Sequence, residues 1–226
     1  MANGYLGVGN IARKLKSMYI GVDGTARKVK KAYVGVNGMA RLWYQAGTPL
    51  GELAVGNLVR MKVNGTSRYF IVVHQGKPSS WYDDSCDGTW LLMNEIYTTS
   101  KWSSFSLSSL KPLLDSDIQS VVKSARILKG GEVGFSDIDI YDVLSYFSGA
   151  SDSKRIAYYN GKATNWWLDS TFYDEESSSN GYQYYVTTIG GNNTASKSAY
   201  TSNYGIRPAF ILPSTVLVDD SNNVIA

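Results

Sequence analysis

The chain has 226 residues, enough for one sizeable core with a short appendage, and its charged fraction is only 18% while Tyr (17), Gly (22) and Trp (6) are abundant. One cysteine, Cys86, and one histidine, His74, exclude a disulfide scaffold, a zinc ribbon and a His-rich metal site. Residues 1–46 carry eight Lys/Arg against Asp23 alone, a net +7, and the remainder carries fourteen basic against eighteen acidic residues, a net −4, so two segments with separate roles are expected.

The basic segment is a repeat. Tyr5-Leu-Gly-Val, Tyr19-Ile-Gly-Val and Tyr33-Val-Gly-Val recur, each followed by Ala-Arg at Ala12-Arg13, Ala26-Arg27 and Ala40-Arg41. Between them lie Gly9-Asn10, Asp23-Gly24 and Asn37-Gly38, dipeptides that tolerate positive φ and close two-residue hairpins. Three strand–turn–strand units are predicted. A unit this short cannot enclose a core, so Leu6, Val8, Ile20, Val22, Val34 and Val36 need a surface to cover them. The covering surface is expected from a sister chain or a particle, with packing on the rest of the chain and nucleic-acid binding through the Lys/Arg rows as the alternatives. Gly7-Val-Gly9-Asn-Ile-Ala12 fits a dinucleotide fingerprint by spelling only, because no helix pattern follows it. The absence of an apolar h-region at the start, and of any long apolar run, argues against classical secretion and membrane insertion.

Residues 47–51 read as a linker, since Gly47, Pro49 and Gly51 interrupt both periodicities, and a second domain is expected over 52–226. Leu58–Val63 alternates, Asn64-Gly65 turns and Tyr69–Val73 is a continuous apolar run, which predicts a hairpin with a buried second strand. Gly88–Met93 reads as a third strand. Helices are predicted over Ser116–Lys123, capped by Ser116, and over Asp139–Phe147, stopped by Gly149. After Trp166-Trp167-Leu168 comes a stretch from Asp169 to Tyr204 in which Tyr, Ser, Thr and Asn supply 22 of 36 residues, and then the apolar Gly205–Pro213. A polar-aromatic stretch between two core strands reads as a recognition surface, because Tyr gives large contact area at low entropy cost and Ser and Asn give adaptable hydrogen bonds.

His74–Ser80, Asp84–Leu92, Arg155–Tyr158, Trp166–Leu168 and Gly205–Phe210 together resemble a family of phage structural proteins of gut Firmicutes phages and prophages that carry a C-type-lectin-like domain. The N-terminal Tyr-x-Gly-Val-x-Gly-x-Ala-Arg repeats resemble a module found ahead of that domain in phage tail proteins. Many such domains are similar to the variable proteins of diversity-generating retroelements. The resemblance implies an α+β fold: a C-type-lectin-like domain of antiparallel strands and short helices behind a small all-β repeat module. It implies that Trp167, Gly205, Arg207 and Pro208 are scaffold and that the stretch between them is the variable face, with Asp169, Tyr173, Asp174, Tyr182, Tyr185, Thr187, Asn192, Asn193, Tyr200, Ser202 and Tyr204 as ligand-binding positions.

The function implied is a tail-associated receptor-binding protein on the virion, assembled in the bacterial host cytoplasm. Its partners are a bacterial surface protein or glycan and, through residues 1–46, other tail proteins; a homo-oligomer, with a trimer favoured by analogy, is expected, with no nucleic acid and no membrane insertion. A structural tail or capsid decoration protein and a cell-wall glycan hydrolase are the rivals. No enzyme activity, metal or cofactor is expected. Asp174-Glu175-Glu176 and Asp83, Asp84 and Asp87 are adjacent acids in Ser-rich or turn segments, without the across-cleft separation glycosidases need or the spacing of an EF-hand. His74 follows a predicted buried strand and no G-x-S-x-G elbow accompanies it, so it reads as structural.

Overall fold

The computed structural model describes residues 5–8, 11–15, 18–149, 152–173, 181–195 and 202–226. The repeats form three hairpins, β1 (Tyr5–Val8) with β2 (Ile11–Lys14), β3 (Tyr19–Val22) with β4 (Thr25–Lys28), and β5 (Lys31–Val36) with β6 (Met39–Gln45). Asp23-Gly24 and Asn37-Gly38 sit at positive φ in the two turns that are described, the backbone a two-residue hairpin loop requires; Gly9-Asn10 lies outside the described residues. Tyr19, Ile20, Tyr33, Val34 and Met39 stay exposed, 59% in the case of Tyr33.

The segment read as a linker is strand-paired. β7 (Thr48–Pro49) runs antiparallel to the strand Leu217–Val218, Leu50 donates its N–H to the Val216 carbonyl at 2.8 Å, and the Leu50 side chain is fully buried. The repeats are therefore joined to the rest of the chain through a stretch hydrogen-bonded along one edge to the segment 214–218.

Beyond it follow β8 (Leu58–Val63), β9 (Thr66–Gln75), β10 (Thr89–Met93), β11 (Thr98–Ser100), the helix α1 (Ser116–Val121), β12 (Ser124–Ile127), the short pair β13 (Tyr158–Tyr159) and β14 (Lys162–Ala163), β15 (Trp166–Tyr173), β16 (Gly181–Val186), β17 (Asn192–Ala195), β18 (Tyr204–Ile206), β19 (Pro208–Leu212), β20 (Leu217–Val218) and β21 (Val224–Ile225). Two five-stranded sheets dominate, one ordered β12-β19-β10-β9-β8 and the other β11-β18-β15-β16-β17. They meet where β18 passes into β19 at Arg207. Period-two alternation sends one set of side chains to each face. Val72, Leu91, Trp167, Ile206 and Phe210 enter one core with Leu110, Leu114 and Ile118 over it. Val73, Trp90, Leu92, Trp166, Leu168 and Ile211 enter a second core, closed by Leu128, Val133, Phe135, Leu144 and Phe147.

The expected α+β class is corrected by this architecture. Strands account for 43% of the chain and helical segments for 14%, and the fold is mostly β, divided among many small sheets. Among the described residues α1 is the only α-helix, six residues long; Asp115, not the predicted Ser116, stands in the capping position, and its side chain makes no cap hydrogen bond. The predicted helix over Asp139–Phe147 does not form: the segment is irregular as far as Leu144 and turns from Ser145 onward. The Asp139 carboxylate accepts hydrogen bonds from the backbone N–H groups of Gly130, Gly131 and Tyr141, at 3.1, 2.8 and 3.2 Å. A carboxylate that binds its own neighbours' backbone offers the chain an alternative to the helical ladder, and here that alternative wins. Among the described residues no helix is long and apolar enough to cross a membrane.

Candidate functional site

The polar-aromatic stretch is built on a rigid aromatic platform. Trp167 is fully buried and its indole N–H donates to the Ser100 carbonyl at 2.9 Å. Its ring centroid lies 6.1 Å from Trp102, 6.0 Å from Tyr185 and 4.6 Å from Tyr204, and Tyr185 and Tyr204 are 4.5 Å apart. Burial, and then its hydrogen bond with Tyr204, raises the Tyr185 phenol above the ordinary value. The register of β15 against β16 shifts between Trp167 and Thr171, and the amide nitrogen of the fully buried Gln183 donates to the Leu168 carbonyl in that irregular stretch. The four positions read as scaffold, Trp167, Gly205, Arg207 and Pro208, are all buried. The Arg207 Nε donates to the Met93 carbonyl at 2.9 Å and its guanidinium lies over Trp166; burial lowers its pKa to about 10. At Gly205 a Cβ would come within 2.5 Å of Ile96, so no larger residue fits without displacing a core side chain.

Alternation along β16 separates the sequence-predicted positions instead of gathering them. Tyr185 points into the first core, and Asn193, its cross-strand partner, shares that side but is exposed. Tyr182, Tyr184 and Val186 take the opposite side, as does Asn192, paired with Val186. Thr187 closes the β16–β17 turn, its N–H and hydroxyl both reaching the Gly191 carbonyl at 2.8 and 3.1 Å. Ser202 and Tyr204 are half-buried. Tyr173 ends β15 opposite Gly181. Asp174 and Tyr200 lie outside the described residues.

Asp169 connects this sheet to the loop 128–143. Its backbone carbonyl and carboxylate accept from the Lys129 ammonium at 2.9 and 3.4 Å, and that ammonium stands 4.7 Å over the Tyr141 ring. The loop is fastened from beneath by Glu132, fully buried, whose carboxylate meets Arg126 at 2.8 Å and accepts the Lys129 N–H at 2.9 Å. Burial still outweighs the arginine and raises the Glu132 pKa above its ordinary value. Ser170 closes the frame, its hydroxyl donating to Asp139 at 2.5 Å.

Beside this loop lies a feature that sequence reasoning missed. Gly131, Gly134, Tyr141, Asp142, Phe147 and Arg155 line a cleft of about 470 Å³. Arg155 is buried, with Nε on the Val133 carbonyl and Nη1 on Asp152, both at 2.7 Å, and its guanidinium 4.4 Å over Phe135. At the rim the Asp142 carboxylate accepts from the Ser79 hydroxyl at 2.6 Å and the Trp81 indole N–H at 3.0 Å. Trp81 is 49% exposed and packs at a tilt against Tyr82 and Tyr141, with centroids 4.5 and 5.0 Å away. The Trp81-Tyr82 pair was the available signal, since a tryptophan set among Ser and Asp has no apolar run to bury it.

The residues weighed for chemistry have structural settings. His74 Nδ1 lies 2.8 Å from the Ser145 hydroxyl and accepts the Ser145 N–H at 3.2 Å, and burial lowers the imidazole pKa. Cys86 is buried, which raises its thiol. Asp83 caps the turn Asp84–Cys86, and Asp84 pairs with Lys77 at 2.5 Å. Among the described residues no cluster of His, Cys, Asp and Glu is placed to hold a metal ion.

A family profile described as a domain of unknown function (DUF6273) matches residues 128–214, the span from the cleft loop through β19. No curated protein and no solved structure matches the chain.

Proposed function

We propose that the chain is a tail-associated receptor-binding protein of a phage or prophage. It binds a bacterial surface protein or glycan without covalent chemistry, through the β15–β17 region in which Asp169, Tyr182 and Asn192 stand, together with the adjoining loop 128–143. The observation that carries this reading is the pairing of a locked platform, Trp167 with Tyr185 and Tyr204, with polar and aromatic side chains displayed from the same strands. Binding residues held on rigid strands lose little entropy on docking. The tandem hairpins, with Tyr19, Ile20, Tyr33, Val34 and Met39 exposed, are the segment that meets sister chains or other tail proteins. A homo-oligomer, taken here as a trimer, sits on the virion after assembly in the host cytoplasm. Copies displayed together multiply individually weak contacts by about 10²–10⁴ in avidity.

The test is adhesion of the labelled full-length protein to a panel of gut Firmicutes strains, beside a variant carrying Asp169→Ala and Tyr182→Ala. Strain-selective binding that the variant loses while keeping its circular dichroism spectrum supports the proposal. Binding to no strain, or equal binding by both proteins, counts against it and favours a structural particle component. Release of sugars from cell walls would favour a hydrolase.

A further inference from the structure

Resting on the reading of the chain as a ligand-binding protein, we infer that the cleft between Tyr141, Asp142 and Arg155 takes a neutral saccharide, with one sugar ring lying on the exposed indole of Trp81. The cleft falls in the volume range of small-molecule sites, and its polar groups are few and placed by other residues. Arg155 presents a donor. Two of its guanidinium nitrogens are engaged by Val133 and Asp152, while Nη2 has no hydrogen-bond partner among the described residues. Gly134, also in the cleft wall, has φ +89°, and a Cβ there would stand 3.1 Å from Nη2. A side chain at that position would be strained and would cover the amino group, so glycine keeps it open to the cleft.

Asp142 presents the matching acceptor. One carboxylate oxygen is held by Ser79 and Trp81, which fixes the group at the rim with acceptor capacity to spare. A donor and an acceptor at one opening suit adjacent hydroxyls, each of which can both accept and donate. The charges argue for a neutral ligand, because Arg155 is offset by Asp152 and Asp142 adds a negative charge at the rim. An acidic sugar or a phosphate would meet no surplus of positive charge. Trp81 completes the set: its indole N–H is fixed on Asp142 and its ring is backed by Tyr82 and Tyr141, so a large flat apolar face is held in place beside polar groups. The C–H face of a pyranose covers such a surface while its hydroxyl edge reaches the cleft.

The experiment is saturation-transfer NMR on the full-length protein with the methyl glycosides of glucose, galactose, N-acetylglucosamine and rhamnose, and with glucuronate as the acidic comparison. The expected result is transfer to at least one neutral glycoside, weakened at least about tenfold by Trp81→Ala and by Asp142→Asn. Trp81 is half-exposed and a member of neither buried core, and the Trp81→Ala result counts only with a circular dichroism spectrum that matches the parent's. Transfer to none of the sugars, transfer to glucuronate alone, or transfer undiminished in Trp81→Ala overturns the inference. Adhesion to cells is measured alongside, after periodate or protease treatment of the cells. Adhesion removed by protease and kept after periodate identifies a protein ligand and overturns the saccharide while leaving the receptor-binding reading in place. Saccharide transfer without adhesion to any strain does the reverse.

Discussion

Replacing Trp167 with alanine removes the side chain on which β11, β15, β16 and β18 converge. The indole is fully buried, touches three aromatic rings and donates the hydrogen bond that satisfies the Ser100 carbonyl. Truncating a buried tryptophan costs about 3–5 kcal/mol in lost transfer energy and cavity formation, and the stranded carbonyl places the loss toward the upper end. In a chain of this size each kcal/mol moves Tm by about 2–4 °C, so Trp167→Ala is expected to unfold about 6–20 °C below the parent when followed by near-ultraviolet circular dichroism. Asn193→Ala is the companion variant. Asn193 is exposed on edge strand β17 opposite Tyr185, and its truncation is expected to stay within about 0.5 kcal/mol. A Tm drop in Trp167→Ala smaller than about 4 °C, or one no larger than that of Asn193→Ala, would refute the division into platform and display.

Gly205→Ala should destabilise by about 1–3 kcal/mol through contact with Ile96, and Ile96→Ala in the same chain should return part of that loss; thermal melts of the single and double variants decide. Asp139→Ala should speed amide exchange at Gly130, Gly131 and Tyr141, which lose the carboxylate they bind, and unchanged protection there would contradict the account of why 139–147 is not a helix. The His74 imidazole is held below 6.5 by burial, so in the interval beneath 6.5 the unfolded chain binds more protons than the folded one. Its contribution to stability is complete above that pH and is lost as pH falls through the interval; urea melts of His74→Gln should lack this component, and parallel pH curves for both proteins would contradict it.

The sequence was most informative where one local signal decides the backbone. Asp23-Gly24, Asn37-Gly38 and Asn64-Gly65 all sit at positive φ and all close hairpins. It failed where a side chain competed with periodicity: apolar residues at Ile140, Val143, Leu144 and Phe147 have helical spacing, but Asp139 takes the local N–H groups, and only Leu144 and Phe147 end in the core. Composition alone read Asp169–Tyr204 as one face. The two-residue period of β16 divides it, sending Tyr185 inward and Tyr182 to the other side. The cleft was invisible because contacts distant in sequence position it: Trp81 to Asp142 and Arg155 to Val133.

The claim that binding runs through β15–β17 and the adjoining loop is tested most directly by hydrogen–deuterium exchange of the full-length protein with and without cell envelopes from a strain it adheres to. Added protection over Tyr182–Thr194 and Lys129–Asp142, with β3–β6 unchanged, is the predicted footprint. Protection confined to the β3–β6 hairpins, or none in the second region of the chain, would contradict it.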